Sequence, residues 1–295
     1  SHEYDFFDIE KKPIFPMTLL DKRFKFSNYG DYKFAKYKKG LRHAVNYGYL
    51  NFENKIKLIG SLDEKTGFTF IYFNNKKETI TIEKDLDGLS ITEPYELLNI
   101  VFISGEYESV FDSYFNKLSV KPLTKRKELG YTSWYNHYQD ISEEIILDNI
   151  ESINNTKKNY KVFQIDDGYE SYVGDWLKLN ETKFPAGLRV VVDKITKYGM
   201  TPGIWLAPFS AEKNSDIYKN HPEWLIKDKL GNIVIAGGNW SGFAGLDIYN
   251  VEVVAYLEKV FNKYSEYGFK LFKLDFLYSI CVIPHNTKTR GEIME

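Results

Sequence analysis

The second half of the chain alternates apolar, strand-like runs with helix-like segments, and this alternation limits the fold more than any other feature of the sequence. We predict strands at four runs: 129–135, 162–167, 201–208 and 269–278. The segments between them repeat apolar residues at the i, i+3, i+4 and i+7 positions that give a helix one apolar face. Strands that are apolar throughout must be covered on both faces, so the pattern predicts a parallel sheet flanked by helices.

Polar and aromatic side chains gather at the C-terminal ends of these predicted strands: Trp134, Asp166, Asp167, Trp205 and Asp275. A (β/α)8 barrel of the TIM type carries its chemistry on that rim. An open, doubly wound sheet also binds ligands at that edge, so the pattern alone leaves both architectures open. We favour the barrel, because the chemistry is spread over the ends of four different strands.

The predicted barrel is too short to close. The segment from Gly130 to Glu295 holds four predicted strands, whereas a complete (β/α)8 domain takes about 250 residues. We therefore expect only about the first four β/α units, in a piece of a longer chain whose first residue here is Ser1 rather than Met. The alternative is a half-barrel that pairs with something else to cover its edge strands.

The first part of the chain has a different pattern. Short runs rich in β-branched and aromatic residues, such as 55–60 and 67–73, are separated by turn-forming residues. A spacing of about ten residues between such runs is typical of an antiparallel β-sandwich. We predict a β-sandwich-like domain at 1–120, a linker at 121–128 and the N-terminal half of the catalytic barrel at 129–295.

Charge and composition exclude several classes of protein. With 39 Lys and Arg against 41 Asp and Glu, the chain lacks the positive charge of a nucleic-acid binder. It contains no apolar run of the length that spans a membrane, about 20 residues. Its one cysteine, Cys281, allows no internal disulfide. We therefore expect a cytoplasmic protein without nucleic-acid or membrane partners.

The sequence shows no motif for a metal or a cofactor. The five histidines are scattered, without the spacing of zinc ligands. The segment GGNWSG at 237–242 lacks the Lys of a phosphate-binding loop, and we interpret it as a turn. We expect no metal and no cofactor, and the sequence leaves open whether copies of the chain associate as a homo-oligomer.

The candidate chemistry begins with Lys273 and Asp275. Side chains alternate along a strand, so these two project to the same side of the fourth predicted strand. Lys273 is placed to keep Asp275 ionised, as a nucleophile or as a stabiliser of an oxocarbenium-like centre. The ordinary alternative is a buried ion pair that only fills the barrel.

Three further features point to a ligand with many hydroxyl groups. Asp166 and Asp167 are adjacent acids at the end of an apolar strand, and their oxygens can accept hydrogen bonds from neighbouring hydroxyls. Trp134 and Trp205 can stack against a sugar ring. A capped turn beside a solvated acid explains the acids equally well, and core packing explains either tryptophan. Four such features on four strand ends together favour a carbohydrate site.

Six segments of the chain closely resemble the α-galactosidases of glycoside hydrolase family 36, in the order and at the spacing of that family. They are GYTSWYNHY (130–138), FQIDDGYE (163–170), GDW (174–176), GIWLAPF (203–209), HPEW (221–224) and KLDFLY (273–278). The resemblance covers most of 100–285. Six motifs in order are a strong signal, whereas any one of them alone is weak.

The resemblance implies an exo-acting, retaining hydrolase of terminal α-linked galactose in oligosaccharides, with Asp275 as the nucleophile. It implies that Lys273, Asp166 and Asp167 bind galactose hydroxyls and that Trp134 and Trp205 line the pocket. The family's acid/base Asp lies on a later barrel strand, and we expect it beyond residue 295. The family's N-terminal domain also usually offers a tryptophan to the pocket, but the first tryptophan here is Trp134.

Other outcomes stay open. Asp175, Glu170 and Asp247 are the acids of this chain that could replace the missing acid/base; Asp175 is the best placed, but in the family its motif shapes the pocket. We expect the isolated 295 residues to lack part of the catalytic machinery. The alternatives are a non-catalytic galactose-binding or inactive fragment, and an α-galactosyl transferase of the raffinose-synthase type.

Overall fold

The structure, a computed structural model, is described for part of the chain and divides into two compact units. The described residues are 2–5, 40–52, 54–121, 128–156, 158–285 and 288–294. One unit comprises Ser1–Thr124 and Ile283–Glu295, and the other comprises Lys125–Val282. Of the predicted linker at 121–128, residues 122–127 lie outside the described residues.

In the described residues, the first unit contains two sheets. Its strands and first helix are β1 (His2–Asp5), β2 (Leu41–Val45), β3 (Tyr47–Phe52), β4 (Lys55–Ser61), β5 (Phe68–Asn74), β6 (Thr79–Asp85), β7 (Ile100–Gly105) and α1 (Tyr107–Lys117). One sheet has the order β1-β3-β4-β7 and the other the order β2-β5-β6. All neighbouring strands are antiparallel except β1 and β3, which are parallel.

Apolar residues from both sheets of this unit meet in one buried cluster. Ala44 from β2, Ile59 from β4 and Phe73 from β5 belong to it. On the other face of the larger sheet, Val110 and Tyr114 of α1 are buried in a second cluster. The predicted sandwich-like arrangement of antiparallel strands is therefore present, because alternate residues of the strands face a shared core.

The second unit alternates strands and helices. Its elements are β8 (Leu129–Thr132), α2 (Trp134–His137), α3 (Glu143–Asn155), β9 (Tyr160–Ile165), α4 (Leu188–Lys197), β10 (Thr201–Leu206), β11 (Ser210–Glu212), α5 (Asp216–Asn220), β12 (Ile235–Gly237), β13 (Phe243–Gly245), α6 (Val251–Tyr267) and β14 (Leu271–Leu274). Strands β8, β9, β10 and β14 form a parallel sheet in chain order. Sequential parallel strands joined by helices are the arrangement of the first four units of a (β/α)8 barrel.

Two helices of this unit, α3 and α6, begin at residues whose side chains cap them. The Ser142 side chain accepts a hydrogen bond from the Ile145 amide, at the start of α3. Asn250 caps α6 in the same way through the Glu252 amide. Gly268 ends α6 with a φ of 103°, a left-handed conformation that glycine adopts without steric cost.

Three predicted strands are shorter than expected. The strand predicted at 201–208 ends at Leu206, and the other two differ at residues of the candidate chemistry. The predicted strand 129–135 ends at Thr132, and a short helix begins at Trp134. The predicted strand 269–278 ends at Leu274, because Phe276 has a φ of 53° and a turn of 3-10 helix follows at Leu277–Cys281. Both corrections move the polar and aromatic residues out of the sheet and onto its C-terminal edge.

The end of the chain packs with the first unit. The last helix, α7 (Arg290–Met294), carries Arg290, whose guanidinium pairs with Asp85 and with Asp87. The Thr289 hydroxyl donates to the Lys65 carbonyl at 3.0 Å. Residues 283–295 therefore group with the sandwich, whereas the predicted bounds 129–295 assign them to the barrel.

The core of the second unit lies between the parallel sheet and its helices. The fully buried side chains at its centre include Ile146, Ile150, Phe163, Ile165, Val191, Ile195 and Ile204.

In the described part of the chain, none of the helices combines the length and the apolar character needed to cross a membrane.

Neighbouring valines on α4 provide a matched test of this packing. Val191 has none of its surface exposed, whereas Val190 is 37% exposed. We expect Val191→Ala to lower the free energy of unfolding by about 2 kcal/mol, because it removes buried methyl groups and leaves a cavity. Val190→Ala is expected to change it by less than about 0.5 kcal/mol. Urea unfolding of both variants measures the difference, and equal losses would contradict the assigned face of α4.

Candidate active site

A cavity of about 330 Å³ lies at the C-terminal edge of the parallel sheet. Each of the strands β8, β9, β10 and β14 delivers residues to it directly or through the turn that follows. The residues lining it are Trp134, Gln139, Asp166, Asp167, Trp205, Asn239, Trp240, Lys273, Asp275 and Phe276. All six sequence-predicted site residues are therefore brought together, and their roles toward a sugar stay predictions.

Asp166 is a buried carboxylate with four donors around it. Its side chain is 2% exposed. Oδ2 accepts hydrogen bonds from Lys273 Nζ at 2.9 Å, from Gln164 Nε2 at 2.9 Å and from the Thr132 hydroxyl at 3.2 Å. Oδ1 accepts from the Asp167 amide at 3.0 Å. Because its acceptors are occupied in this way, Asp166 holds Lys273 in place at the floor of the cavity.

Asp275 follows β14 and is held at both of its carboxylate oxygens. Trp205 Nε1 donates to Oδ2 at 3.1 Å, and the Phe276 amide donates to Oδ1 at 2.9 Å. Lys273 Nζ lies 4.0 Å from Oδ2, which places a positive charge beside the carboxylate. The Asp275 side chain is 44% exposed. It is therefore an oriented carboxylate that a ligand in the cavity can reach.

Asp167, the residue after Asp166, is a second buried carboxylate in the cavity lining. It is 3% exposed, and its Oδ2 accepts from Gln139 Nε2 at 2.8 Å and from Trp240 Nε1 at 2.9 Å. The turn that carries it requires glycine at position 168. There φ is 117°, and a Cβ atom would lie 2.5 Å from the Gln139 carbonyl oxygen.

Glu170 is a second buried acid beside Asp167. Its Oε2 accepts a hydrogen bond from the Gly168 amide at 3.3 Å. Burial, reinforced by the charge of Asp167 and a hydrogen bond to it, raises the pKa of Glu170 well above the ordinary value. The folded state therefore favours the protonated, neutral form of Glu170.

Aromatic rings form the walls of the cavity. Trp205 is 2% exposed and packs edge-on against Trp176, with ring centroids 5.8 Å apart. Trp240 lies 6.2 Å from Trp205 and 4.9 Å from Phe276, centroid to centroid. Trp134 stands on the first turn after β8 and packs edge-on against Tyr138 at 5.2 Å. Such rings suit the apolar face of a sugar.

Four residues that line the cavity were not predicted from the sequence: Gln139, Asn239, Trp240 and Phe276. The segment 237–242 is a turn, as predicted, with the Gly242 amide bonded to the Asn239 carbonyl at 2.8 Å. The same turn also carries Trp240 into the cavity wall. The one signal available was a large aromatic residue inside a glycine-rich turn, where small polar residues are usual.

The three acids considered as alternatives do not line the cavity. Asp175 accepts hydrogen bonds from the Asp216 and Ile217 amides and so caps α5. Asp247 accepts from the Tyr249 amide. Among the described residues that line the cavity, the carboxyl groups are those of Asp166, Asp167 and Asp275. Within that same part of the chain, no three His, Cys, Asp or Glu side chains are arranged to hold a metal ion.

Comparison with known proteins identifies the family that has this arrangement. The profile of the Melibiase family matches residues 104–288, more than half of the chain. The chain belongs to the Melibiase family. The resemblance to the α-galactosidases of glycoside hydrolase family 36 is thereby confirmed, and the family is one of glycoside hydrolases.

Curated relatives of this Melibiase-family chain are much longer than the matched region. The chain is 31% identical over 148 residues to the A type blood alpha-D-galactosamine galactosaminidase of Flavonifractor plautii, which covers 46% of this chain and 14% of that protein. It is 28% identical over 112 residues to an alpha-galactosidase of Escherichia coli, covering 36% of this chain and 15% of that protein. The chain thus spans a small part of the relatives that it matches.

Solved structures confirm the fold class. The alpha-galactosidase TtGalA from Thermus thermophilus matches with a TM-score of 0.67 and 27% identity, over 85% of this chain and 48% of that chain. The alpha-galactosidase AgaA from Geobacillus stearothermophilus matches with a TM-score of 0.60 and 16% identity, over 80% of this chain and 37% of that chain. At the lower identity, the likeness to AgaA shows the fold alone.

The neutral state of Glu170 predicts a pH-dependent stability. Its pKa is raised in the folded state, so its contribution is complete below the unfolded value, which is about 4.3, and is lost as pH rises above it. In the variant Glu170→Gln, the side-chain amide cannot ionise but keeps an N–H donor for Asp167. The stability of this variant relative to wild type is expected to rise by up to about 1.4 kcal/mol per pH unit above about pH 4.5.

Thermal unfolding of the complete gene product from pH 4 to pH 8 measures this difference. Glu181 is exposed, and Glu181→Gln serves as the matched control, with a stability difference expected to stay flat across the range. A difference between Glu170→Gln and wild type that does not change with pH would contradict a protonated Glu170.

Proposed function

We propose that the protein containing this chain is a retaining α-galactosidase that removes terminal α-linked galactose from oligosaccharides by double displacement, with Asp275 as the nucleophile. The observation that carries the proposal is the geometry of Asp275. Its carboxylate opens into the cavity, is fixed by the Trp205 and Phe276 N–H groups, and lies 4.0 Å from the Lys273 ammonium. An ionised, oriented and reachable carboxylate is what the first displacement requires.

In the first step, an oxygen of Asp275 attacks the anomeric carbon of the galactose. The bond from that carbon to the leaving sugar's oxygen breaks, and a proton from a general acid completes the leaving hydroxyl group. In the second step, water attacks the same carbon, gives its proton to the same acid/base group and releases the Asp275 carboxylate. Two inversions leave the α configuration unchanged.

The remaining residues of the cavity would bind the sugar. Asp167 offers a carboxylate oxygen to a hydroxyl, and Lys273 has one N–H donor beyond those directed at Asp166 and Asp275. Trp134 and Trp205 would lie against the sugar ring as walls of the cavity. Support for an α-galactoside comes from the relatives: structures of TtGalA are described in complex with p-nitrophenyl alpha-D-galactopyranoside and with stachyose.

The acid/base group is proposed to come from outside these 295 residues. Two carboxyl groups in a retaining glycosidase stand about 5 to 5.5 Å apart, on opposite sides of the scissile bond. Asp166 accepts hydrogen bonds from four donors, and Asp167 Oδ2 accepts from Gln139 and Trp240. Neither is therefore placed as the proton donor to a leaving group, which agrees with the greater length of the relatives.

Replacement of the nucleophile tests the proposal. We expect Asp275→Ala in the complete gene product to lower kcat on p-nitrophenyl α-galactoside by about 10⁴-fold or more, since covalent catalysis is lost. Azide, which fits the space left by the carboxylate, should restore p-nitrophenol release and give β-galactosyl azide by a single inversion. Rate measurement and NMR of the product provide the readout.

The control is Asp228→Asn. Asp228 is a half-buried turn carboxylate outside the cavity that accepts hydrogen bonds from the Leu230 and Asn232 amides, and its replacement should leave kcat near the wild-type value. Turnover of Asp275→Ala at the wild-type rate, or rescue that yields the α-azide, would contradict the nucleophile assignment. Product analysis with a sugar acceptor separates hydrolysis from galactosyl transfer.

A further inference from the structure

Trp240 stands at the tip of the hairpin between β12 and β13 in a strained backbone conformation. Its φ is 53°, in the left-handed region that large side chains rarely adopt. Strain of this kind persists only where the surrounding structure enforces it, and it collects at functional sites. The contacts of Trp240 and its neighbours should therefore indicate the function that the strained conformation supports.

The tip is anchored by hydrogen bonds of Ser241, one of which reaches the buried Glu212. The Ser241 hydroxyl donates to Glu212 Oε2 at 2.8 Å and accepts from the Asn214 amide at 3.1 Å. Glu212 is 6% exposed, and its other oxygen accepts from the Val173 amide at 3.0 Å. These bonds fix the backbone on the C-terminal side of Trp240, so the direction of its indole is set by the fold.

The Trp240 indole contacts Asp167 directly and packs against Phe276, the neighbour of Asp275. Its Nε1 donates to Asp167 Oδ2 at 2.9 Å, and the same oxygen accepts from Gln139 at 2.8 Å. The ring packs at 4.9 Å against Phe276, whose amide donates to Asp275. Oδ2 of Asp167 is thus crowded by two donors, which leaves Oδ1 as the more accessible oxygen. A sugar hydroxyl therefore meets Asp167 through Oδ1.

We propose that Trp240 is a positioning residue that sets the sugar specificity of this cavity. Trp240 and Gln139 both donate to Asp167 Oδ2 and so hold the Asp167 carboxylate in one orientation. In that orientation, Asp167 accepts a hydrogen bond from a single hydroxyl group of the sugar. The inference rests on the proposed function, which supplies an α-galactoside as the ligand. Beyond that function, Trp240 acts through Asp167, and together the two residues recognise one hydroxyl group of the sugar.

The test compares discrimination between substrates in two matched variants. Trp240→Phe keeps an aromatic ring against Phe276 but removes the N–H donor to Asp167. Trp224→Phe removes an equivalent donor outside the cavity, because Trp224 Nε1 bonds to Glu252 Oε2 at 2.8 Å. For the complete gene product and each variant, kcat/KM is measured on p-nitrophenyl α-galactoside and on its 2-, 3-, 4- and 6-deoxy analogues.

In Trp240→Phe, we expect the preference for the parent galactoside over one deoxy analogue to fall by about tenfold, the value of one hydrogen bond to a charged group. The preference for the parent galactoside over each of the other three analogues should stay within about twofold of the wild-type value. Trp224→Phe should leave all four preferences unchanged, although both variants lower the midpoint of thermal unfolding.

Unchanged preferences in Trp240→Phe, with an active wild type, would overturn this inference and leave the proposed function intact. Equal loss against every analogue would also overturn it, because a general loosening of the cavity does not single out one hydroxyl. Absence of any turnover by wild type on α-galactosides would overturn both proposals together.

Discussion

The Lys273 ammonium lies between two carboxylates, 2.9 Å from Asp166 and 4.0 Å from Asp275, and the rest of the site depends on this arrangement. A carboxylate as buried as Asp166 stays ionised only where a cation and hydrogen-bond donors compensate for lost hydration. Asp166 in turn fixes the position of the ammonium. The fixed ammonium lies beside Asp275. The Asp275 side chain is 44% exposed against 2% for Asp166, and Asp275 is therefore the carboxylate that a ligand can reach more easily.

The register of the parallel sheet produces this arrangement. Trp205 of β10 lies beside Lys273 of β14, and Ile204 lies beside Ile165 at the end of β9. Side chains that follow neighbouring parallel strands therefore meet at one edge, and the buried helices behind the sheet keep that register. Trp205 shows the result: its ring is buried in the core while its N–H reaches Asp275.

Local patterns in the sequence were sufficient for the strands, the helix caps and the acids at the strand ends. Ser142 and Gly268 act through neighbours in the chain, and six ordered motifs identified the family. Trp240 could not be predicted, because its contact with Asp167 joins residues far apart in the chain through a turn whose shape no local pattern specifies. The grouping of α7 with the sandwich depends on Arg290 and the distant Asp85 and Asp87, which no local pattern links.

The most direct measurement is the capture of the glycosyl–enzyme ester. A fluorinated, activated α-galactoside slows the second displacement more than the first, so the ester accumulates and survives digestion for mass spectrometry. The account predicts that the complete gene product carries one galactosyl-derived group, on the Asp275 carboxylate. A sugar ester on a different residue, or hydrolysis with inversion at the anomeric carbon and no ester at all, would contradict it.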